Sequence, residues 1–174
     1  MNDWARTGLS ATISGTVAGL ATMTALALLA RAENRGALQP INASSHWLQG
    51  EQAGEVEEAD APHTLVGFAT NHAAAIFWAI PLELWLASRP PRPPLLLLRD
   101  AAMVSAVAAV VDYGLVPKRL TPGWENALSK TSVAAGFAAM ALGLFAGASV
   151  TQALRSQRRQ GRRRSGRRLA SQSR

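Results

Sequence analysis

Apolar residues fall into four long blocks along this chain, and charged residues lie between or after the blocks. A helix needs about 20 mostly apolar residues to cross the hydrocarbon core of a bilayer, and soluble cores rarely contain apolar runs of that length. The pattern therefore predicts an all-α integral membrane bundle of four transmembrane helices. The predicted spans are residues 8–30, 63–87, 94–116 and 131–154.

The outer loop between the first two spans, residues 31–62, is rich in turn formers and hydrogen-bonding side chains. Its Trp47 suits a membrane–water interface, and Asn42 is of the residue type that caps helices. We expect a re-entrant segment or a short interfacial helix beginning near Asn42. The acidic stretch 49–60 is expected to be mobile.

The tail, residues 155–174, carries nine arginines, and their combined charge of +9 is larger than the net charge of the whole chain, +7. Because basic loops stay in the cytoplasm, the tail predicts that both termini lie inside, in what we expect to be a bacterial inner membrane. Three basic residues on the opposite side, Lys118, Arg119 and Lys130, count against this orientation. The tail's composition predicts disorder and contact with anionic lipids. Nucleic acid is not an expected partner because no aromatic platform or folded module accompanies the arginines.

The first span has an alternative interpretation as a cleaved signal peptide, because Ala30-Arg31-Ala32 resembles a cleavage site. Its apolar stretch exceeds the usual 7–15 residues, and the only preceding basic residue is Arg6. A retained span is therefore the preferred interpretation. Cysteine is absent from the sequence, which excludes disulfides, thiolate metal sites and thiol catalysis.

Small residues recur at four-residue spacing in the first and last spans. Such rows let helices approach closely in lipid, where no hydrophobic drive joins them. We expect packing within the monomer, with a homodimer seam or a contact to another membrane protein as the alternative. The rows are Ala11, Gly15 and Gly19, and Ala139, Gly143 and Gly147.

Four prolines between residues 90 and 94 predict a short, stiff hairpin that makes spans two and three antiparallel neighbours. His72 then lies about 13 Å below the outer surface, near mid-membrane, with Asn71 beside it and Ser105 at similar depth. An ionisable residue at that depth marks a candidate functional site. The alternative is a neutral histidine bonded to a hydroxyl of Ser105, Thr22 or Thr24.

Glu83 shares a helix face with His72, but about 16 Å separates the two residues along the axis. They cannot touch, although they could line one proton path. The alternative is an ion pair between Glu83 and an arginine of the inner hairpin. The candidates for that pairing are Arg89, Arg92 and Arg99.

A metal site near the outer surface would have to combine His46, His63 and Asp112 from three distant segments. No short spacing of ligands supports such a site, so we expect no metal. The alternatives are that Asp112 pairs with Lys118 or Arg119 and that His46 caps a folded loop.

A family resemblance rests on eight stretches of this sequence: Asn42–Trp47, Thr64–Gly67, His72, Trp78-Ala79, Glu83, Val111–Tyr113, Leu120–Glu125 and Leu128-Ser129. Together they resemble a set of four-span inner-membrane proteins of proteobacteria with no assigned activity. This resemblance spans roughly residues 10 to 150 and implies four spans, without indicating a substrate. It also suggests that the polar residues of the outer loop and of span two form one feature. A slighter likeness to the YagU-type inner-membrane proteins involves the Leu-Thr-Pro and Trp-Glu-Asn stretches.

The sequence thus favours a non-enzymatic membrane protein of structural or accessory type, without a cofactor. A small proton-coupled transporter or channel using His72 and Glu83 is the first alternative. A metal- or haem-binding protein using His46, His63 and His72 is the second. The candidate functional residues are His46, His63, Asn71, His72, Glu83, Ser105 and Asp112.

Overall fold

The computed structural model describes the backbone of residues 3–172 and the side chains of residues 3–158, 160 and 161. Within the described backbone the chain forms α-helices, short 3-10 segments and one π-helical turn, with no strand. The α-helices are α1 (Asp3–Ala32), α2 (Gln39–Ala43), α3 (His46–Gln49), α4 (Val66–Ala87), α5 (Pro94–Gly114) and α6 (Lys130–Gln172).

Four of these helices are long and apolar enough to cross a membrane. They are α1, α4 with the π-helical turn Ala61–Leu65 that leads into it, α5, and the first part of α6. The predicted all-α bundle of four transmembrane helices is confirmed. By length and composition the chain is a multi-pass membrane protein, and an even number of crossings brings both termini to one face.

Helix α6 begins at Lys130 and continues to Gln172, well past the predicted end of the fourth span at Leu154. The backbone is therefore helical through most of a segment for which composition predicts disorder. Arginine and glutamine have high helix propensity, and extending an existing helix avoids the cost of nucleating a new one. Composition alone cannot take account of the helix that precedes the tail.

Helix α1 is the centre of the bundle, since it packs along both α4 and α6. Helix α5 packs mainly on α6, while α4 and α5 share a much smaller contact despite the short turn between them. The helices therefore follow the order α4, α1, α6, α5 around the bundle. The predicted hairpin of spans two and three is antiparallel but loosely joined, because each helix has a better partner elsewhere.

Glycines bring α1 close to both of its neighbours. A Cβ added to Gly143 would lie 2.5 Å from the Cα of Ala18, and one added to Gly147 would lie 2.5 Å from the Cα of Ser14. On the other side of α1, a Cβ on Gly15 would collide with the backbone of Ile76 in α4. The glycine rows thus face other helices of the same chain. Within these rows Ala11 is also buried, Gly19 faces Ala75 and His72, and Ala139 is partly buried.

Residues 33–60 and 115–129 fold together over one end of the bundle, and we call them the loop cap. The loop cap includes α2, α3 and 3-10 turns at Glu51–Glu55, Lys118–Leu120 and Trp124–Asn126. The expected short helical segment is present as α2 and α3, but Asn42 lies inside α2 and caps neither helix, because the N-cap residues are Leu38 and Ser45. The acidic stretch expected to be mobile contains an ordered turn, because Ala53 and Gly54 are buried against the rest of the cap.

The Glu33 carboxylate joins the end of α1 to the start of α6. It accepts hydrogen bonds from the Ser129 hydroxyl at 2.6 Å, the Ser129 backbone N–H at 3.1 Å and the Ser132 hydroxyl at 2.5 Å. These bonds favour the ionised form and hold the pKa of Glu33 below its usual value. The link fixes the loop cap to both central helices.

Replacing Gly143 by valine should destabilise the bundle, because the added side chain would meet backbone atoms of α1 that cannot move aside. The cost should reach at least about 1–3 kcal/mol, as for overpacked cores. Thermal unfolding of the detergent-solubilised protein, followed by circular dichroism, measures the change. The matched control is Gly8→Val, since nothing lies within 4 Å of a Cβ at Gly8. Equal melting temperatures for the two variants would contradict close packing at Gly143.

Candidate functional site

Amide and hydroxyl side chains tie the loop cap together. Residues 39–46 form a continuous buried run. Within it, the Asn42 amide donates to the carbonyls of Val56 at 2.8 Å and Glu58 at 3.1 Å. The Asn42 carbonyl oxygen accepts from the Thr64 hydroxyl at 2.7 Å. The Asn42 side chain therefore uses both its NH₂ group and its carbonyl oxygen in hydrogen bonds, and it links the cap to the turn before α4.

Asn71 of α4 joins the cap to the membrane-spanning helices. Its amide donates to the Ser44 hydroxyl at 2.8 Å, and its carbonyl oxygen accepts from the Trp124 indole N–H at 3.1 Å. The Ser44 hydroxyl donates in turn to the Pro122 carbonyl at 2.8 Å. This buried network connects both halves of the loop cap through a single side chain of span two. A network in which each member is paired gives the site a defined geometry.

His46 is buried in the same part of the cap, with its Nε2 atom 3.0 Å from the Thr121 carbonyl oxygen. A bond to a carbonyl requires Nε2 to carry a proton, which makes the ring a donor at this position. Gly123 lies beside the ring with φ of +80°, and a Cβ there would strike the Ala43 carbonyl. His46 therefore helps to hold residues 115–129 of the loop cap against residues 33–60.

A half-open pocket lies directly beneath this network, with a cavity volume of about 100 Å³. All four long helices and the loop cap contribute to its wall. The apolar part of the lining is Gly19, Ala74, Ala75, Trp78, Leu120, Pro122, Trp124, Phe137 and Met140, and the polar part is Thr22, Ser44, Thr70, Asn71, Asp112 and Thr121.

Asp112 of α5 lies half-buried on the pocket wall, where its side chain interacts with the Trp78 indole N–H. It forms no ion pair with any residue that the structure describes. The predicted pairing with Lys118 or Arg119 is wrong. Arg119 instead donates from Nε to the Trp47 carbonyl at 3.0 Å, because the loop carrying it folds onto α3.

His63 lies away from the pocket, at the π-helical turn before α4. Its backbone N–H donates to Asp60 at 2.7 Å, and its Nδ1 is 2.6 Å from the second oxygen of the same carboxylate. The bond from His63 lowers the pKa of Asp60. His46, His63 and Asp112 thus have separate partners. Among the described residues no three His, Cys, Asp or Glu side chains form a group that could hold a metal ion.

His72 faces α1, where its Nε2 lies 3.4 Å from the Thr16 hydroxyl, and its ring stacks on Phe68 with centroids 5.8 Å apart. Its Nδ1 is buried without a hydrogen-bond partner in the described structure. The expected bond to a hydroxyl of another span is present, but the partner is Thr16 of α1 and not one of the three named candidates. Ser105 donates to the Phe137 carbonyl at 2.6 Å because α5 packs on α6, and the Thr22 hydroxyl donates to its own helix.

Glu83 lies at the opposite end of α4 and is completely buried. One carboxylate oxygen accepts from the hydroxyls of Ser14 at 2.5 Å and Thr151 at 2.8 Å, and the other accepts from Arg155 at 2.8 Å. The carboxylate therefore joins α4 to both α1 and α6. A buried carboxylate in a membrane-spanning helix is costly in free energy, and here the Arg155 charge and three hydrogen-bond donors offset that cost for Glu83.

The predicted partners of Glu83 belong to a second ion cluster at the short turn between α4 and α5. Arg92 lies 3.3 Å and Arg99 2.9 Å from the buried carboxylate of Asp100. Arg89 stacks over the Trp85 ring, with its guanidinium carbon 3.6 Å from the centroid. The prediction that one of these arginines pairs with Glu83 is wrong, since Asp100 and Trp85 are closer along the chain.

The sequence interpretation included Asn71 and Asp112 in the candidate set but missed the aromatic residues that complete the pocket. Trp78 follows Asn71 by seven residues, about two helical turns, so the two lie on one helix face. This spacing is the sequence signal that could have added Trp78 to the candidate site. Trp124 and Ser44 gave no comparable signal, because their position depends on how the loops fold. Arg155 was assigned to the tail, although one turn of helix separates it from Thr151.

The sequence matches no protein-family model, and no curated protein or solved structure matches this chain.

Replacing Glu83 by alanine should lower stability by about 3 kcal/mol or more, because Arg155 would lose its partner inside the bundle. Arg155 retains 24% exposure of its side chain, which places the effect at the lower end of the range for buried pairs. Thermal unfolding in detergent measures the loss. The control is Asp3→Asn, which breaks an exposed pair with Arg6 and should change stability by less than about 1 kcal/mol. If the Glu83→Ala variant were as stable as this control, the Glu83 carboxylate would not stabilise the contact of α4 with α1 and α6.

Proposed function

We propose that this chain is a non-enzymatic accessory protein of the bacterial inner membrane that binds a small amphipathic molecule beneath its loop cap. The observation that carries the proposal is the pocket framed by the Asn71 network. Its wall combines hydrogen-bonding groups at the cap with apolar side chains deeper in the bundle. Small-molecule sites have this composition, with a largely apolar lining and a few fixed polar groups.

The ionisable groups support binding over chemistry at this site. Asp112 is the single ionisable side chain of the pocket lining, and the Ser44 hydroxyl and Asn71 amide are committed to the cap. Acid–base or nucleophilic catalysis uses pairs of groups within hydrogen-bond reach of each other. The neighbour of Asp112 in the lining is the Trp78 indole N–H, which is neither a general base nor a nucleophile, so recognition of a ligand is the activity that the pocket supports best.

A proton-coupled carrier is the second candidate, and the observation that favours it is the buried, unpaired Nδ1 of His72. Glu83 weighs against it, because its four-residue network with Ser14, Thr151 and Arg155 ties three helices together. Proton uptake by proteoliposomes that disappears in a His72→Ala variant would favour the carrier over the accessory protein.

The proposed orientation places both termini in the cytoplasm and the loop cap in the periplasm. The arginines of the α6 extension support it, since basic segments are retained inside. At the anionic inner leaflet each basic residue near the surface contributes about 1 kcal/mol of attraction. Anionic lipids are therefore the proposed partners of this end, while the glycine rows already face helices of the same chain.

A reporter fused after Arg174 tests this orientation. Green fluorescent protein should fluoresce there, because it matures in the cytoplasm, while alkaline phosphatase at the same position should stay inactive. A fusion of the same two reporters within the loop cap, after Glu51, should give the opposite pair of signals. Active phosphatase after Arg174 would overturn the orientation and place the pocket on the cytoplasmic side.

Filling the pocket should abolish binding of small amphiphiles. Ala74 and its neighbour Ala73 are both exposed, but Ala74 lies at the open side of the pocket and Ala73 does not line it. We expect short-chain alcohols or alkylamines to raise the melting temperature of the wild type and of Ala73→Phe saturably. Ligand at a hundredfold excess over Kd adds about 2.7 kcal/mol of stability. Ala74→Phe should show no such rise.

The measurement is thermal unfolding of the full chain in detergent over a concentration series of each compound. Ala73→Phe is the matched control, because it adds the same side chain to the same helix one position away. If no compound gives a saturable shift that depends on residue 74, the proposed binding function is wrong.

A further inference from the structure

Asp112 differs from the other carboxylates of the long helices. Asp3, Glu83 and Asp100 each form an ion pair with an arginine of the chain. Asp112 forms none with the described residues, although it lies half-buried in a predicted span. A carboxylate removed from water is costly unless a cation compensates it. The place next to Asp112 that the chain leaves open is the pocket.

Aromatic rings form much of the wall that Asp112 shares. Trp78 and Trp124 both line the pocket, and Phe137 lies beside Trp124 with ring centroids 5.2 Å apart. The Trp124 ring is held in place by its bond to Asn71 and is nearly fully buried. Aromatic faces attract cations, tryptophan most strongly, and such faces recognise organic ammonium groups. The pocket therefore combines two features that favour positive charge, a carboxylate without a counter-charge and aromatic rings, one of which (Trp78) also donates its N–H to Asp112.

The same features argue against a metal ion. A divalent metal bound by oxygen ligands takes six or more of them and usually more than one carboxylate. Asp112 is the single carboxylate in the lining, and the described residues include no metal-binding group of three acidic, His or Cys side chains. An ammonium group needs one counter-charge and apolar surroundings for its carbon atoms. The indole rings and Met140 supply those surroundings.

The size of the cavity restricts the ligand. Its volume of about 100 Å³ is below the roughly 150 Å³ of a cavity that holds a benzene ring. A methylated ammonium has about the bulk of benzene, so the cavity would enclose part of it, and the rest of the ligand would extend through the open side, where Ala74 and the exposed Leu120 lie. Size thus favours a small methylated ammonium over a large polycation.

We propose that the pocket binds a small organic ammonium ion, with Asp112 as its counter-charge and Trp78 and Trp124 as its aromatic wall. The proposal rests on the proposed binding function and specifies the ligand class for the same site. Thr22 and Thr70 also belong to the polar lining, and their hydroxyls donate to carbonyls of their own helices.

Isothermal titration of the detergent-purified full chain tests the ligand class with a matched pair of probes. Choline carries the charge, and 3,3-dimethyl-1-butanol has the same shape without it. Measurements at about pH 8, above the usual range of aspartate, keep an ordinary carboxylate ionised. The wild type should bind choline at least tenfold more tightly than the alcohol. Sodium chloride at equal ionic strength controls for screening.

Asp112→Asn should remove the preference for choline, and Trp78→Leu should weaken choline binding at least fivefold while leaving the carboxylate in place. The control variant is Glu51→Gln, an exposed carboxylate outside the pocket, which should bind choline like the wild type. Thermal unfolding of each variant establishes that it is folded. If Asp112→Asn does not fold, Trp78→Leu and the choline–alcohol comparison in the wild type decide the question.

Equal affinity for choline and the alcohol would overturn the ammonium proposal while supporting the binding function, since the pocket would take either probe. Absence of choline binding would also overturn it, and the Ala74→Phe comparison would then decide separately whether the pocket binds other amphiphiles. Choline binding that survives both Asp112→Asn and Trp78→Leu would place the ligand elsewhere on the protein.

Discussion

Helix α1 approaches α4 and α6 so closely that their backbones meet at glycines, and this contact sets the positions of the other helices. Lipid supplies no hydrophobic drive between helices, so backbones must come near enough for dispersion contacts and hydrogen bonds. Gly15 allows this toward α4, and Gly143 and Gly147 allow it toward α6. Because Gly147 lies against Ser14, and the Ser14 hydroxyl bonds to Glu83, the same contact also positions the buried carboxylate.

The bundle is consequently asymmetric. Close packing on α1 uses one side of α4 and one side of α6, and α5 then packs on α6 rather than on its partner in the hairpin. The lesser contact between α4 and α5 leaves space near the loop cap, where Asp112 and Trp78 meet. The pocket therefore lies where α4 and α5 are not drawn together, because α4 packs on α1 and α5 packs on α6. Its polar rim is held by Asn71, which lies on α4 but is bonded to both segments of the cap.

Polar groups inside the four helices divide into two classes. Glu83, Asp100 and Ser105 have partners within the protein, as the low dielectric of a membrane interior requires. Asp112 has the Trp78 indole N–H but no counter-charge among the described residues, and the Nδ1 atom of His72 has no hydrogen-bond partner there. Groups of the first class stabilise the bundle. Those of the second class are the groups on which we base the two proposed functions.

The four spans and the candidates Asn71, Glu83 and Asp112 are readable from the sequence, because a bilayer requires apolar length and makes polar residues within it conspicuous. The glycine rows are also visible there through their spacing. The partners of the polar side chains follow instead from the packing of the folded chain: Arg155 for Glu83, Thr16 for His72 and Trp124 for Asn71. Pattern along one helix fixes which residues share a face, but the neighbour that this face meets depends on which helices pack most closely. In the loop cap, buried hydrogen bonds between segments distant in the chain determine which side chains meet. Such bonds leave no periodic pattern in the sequence.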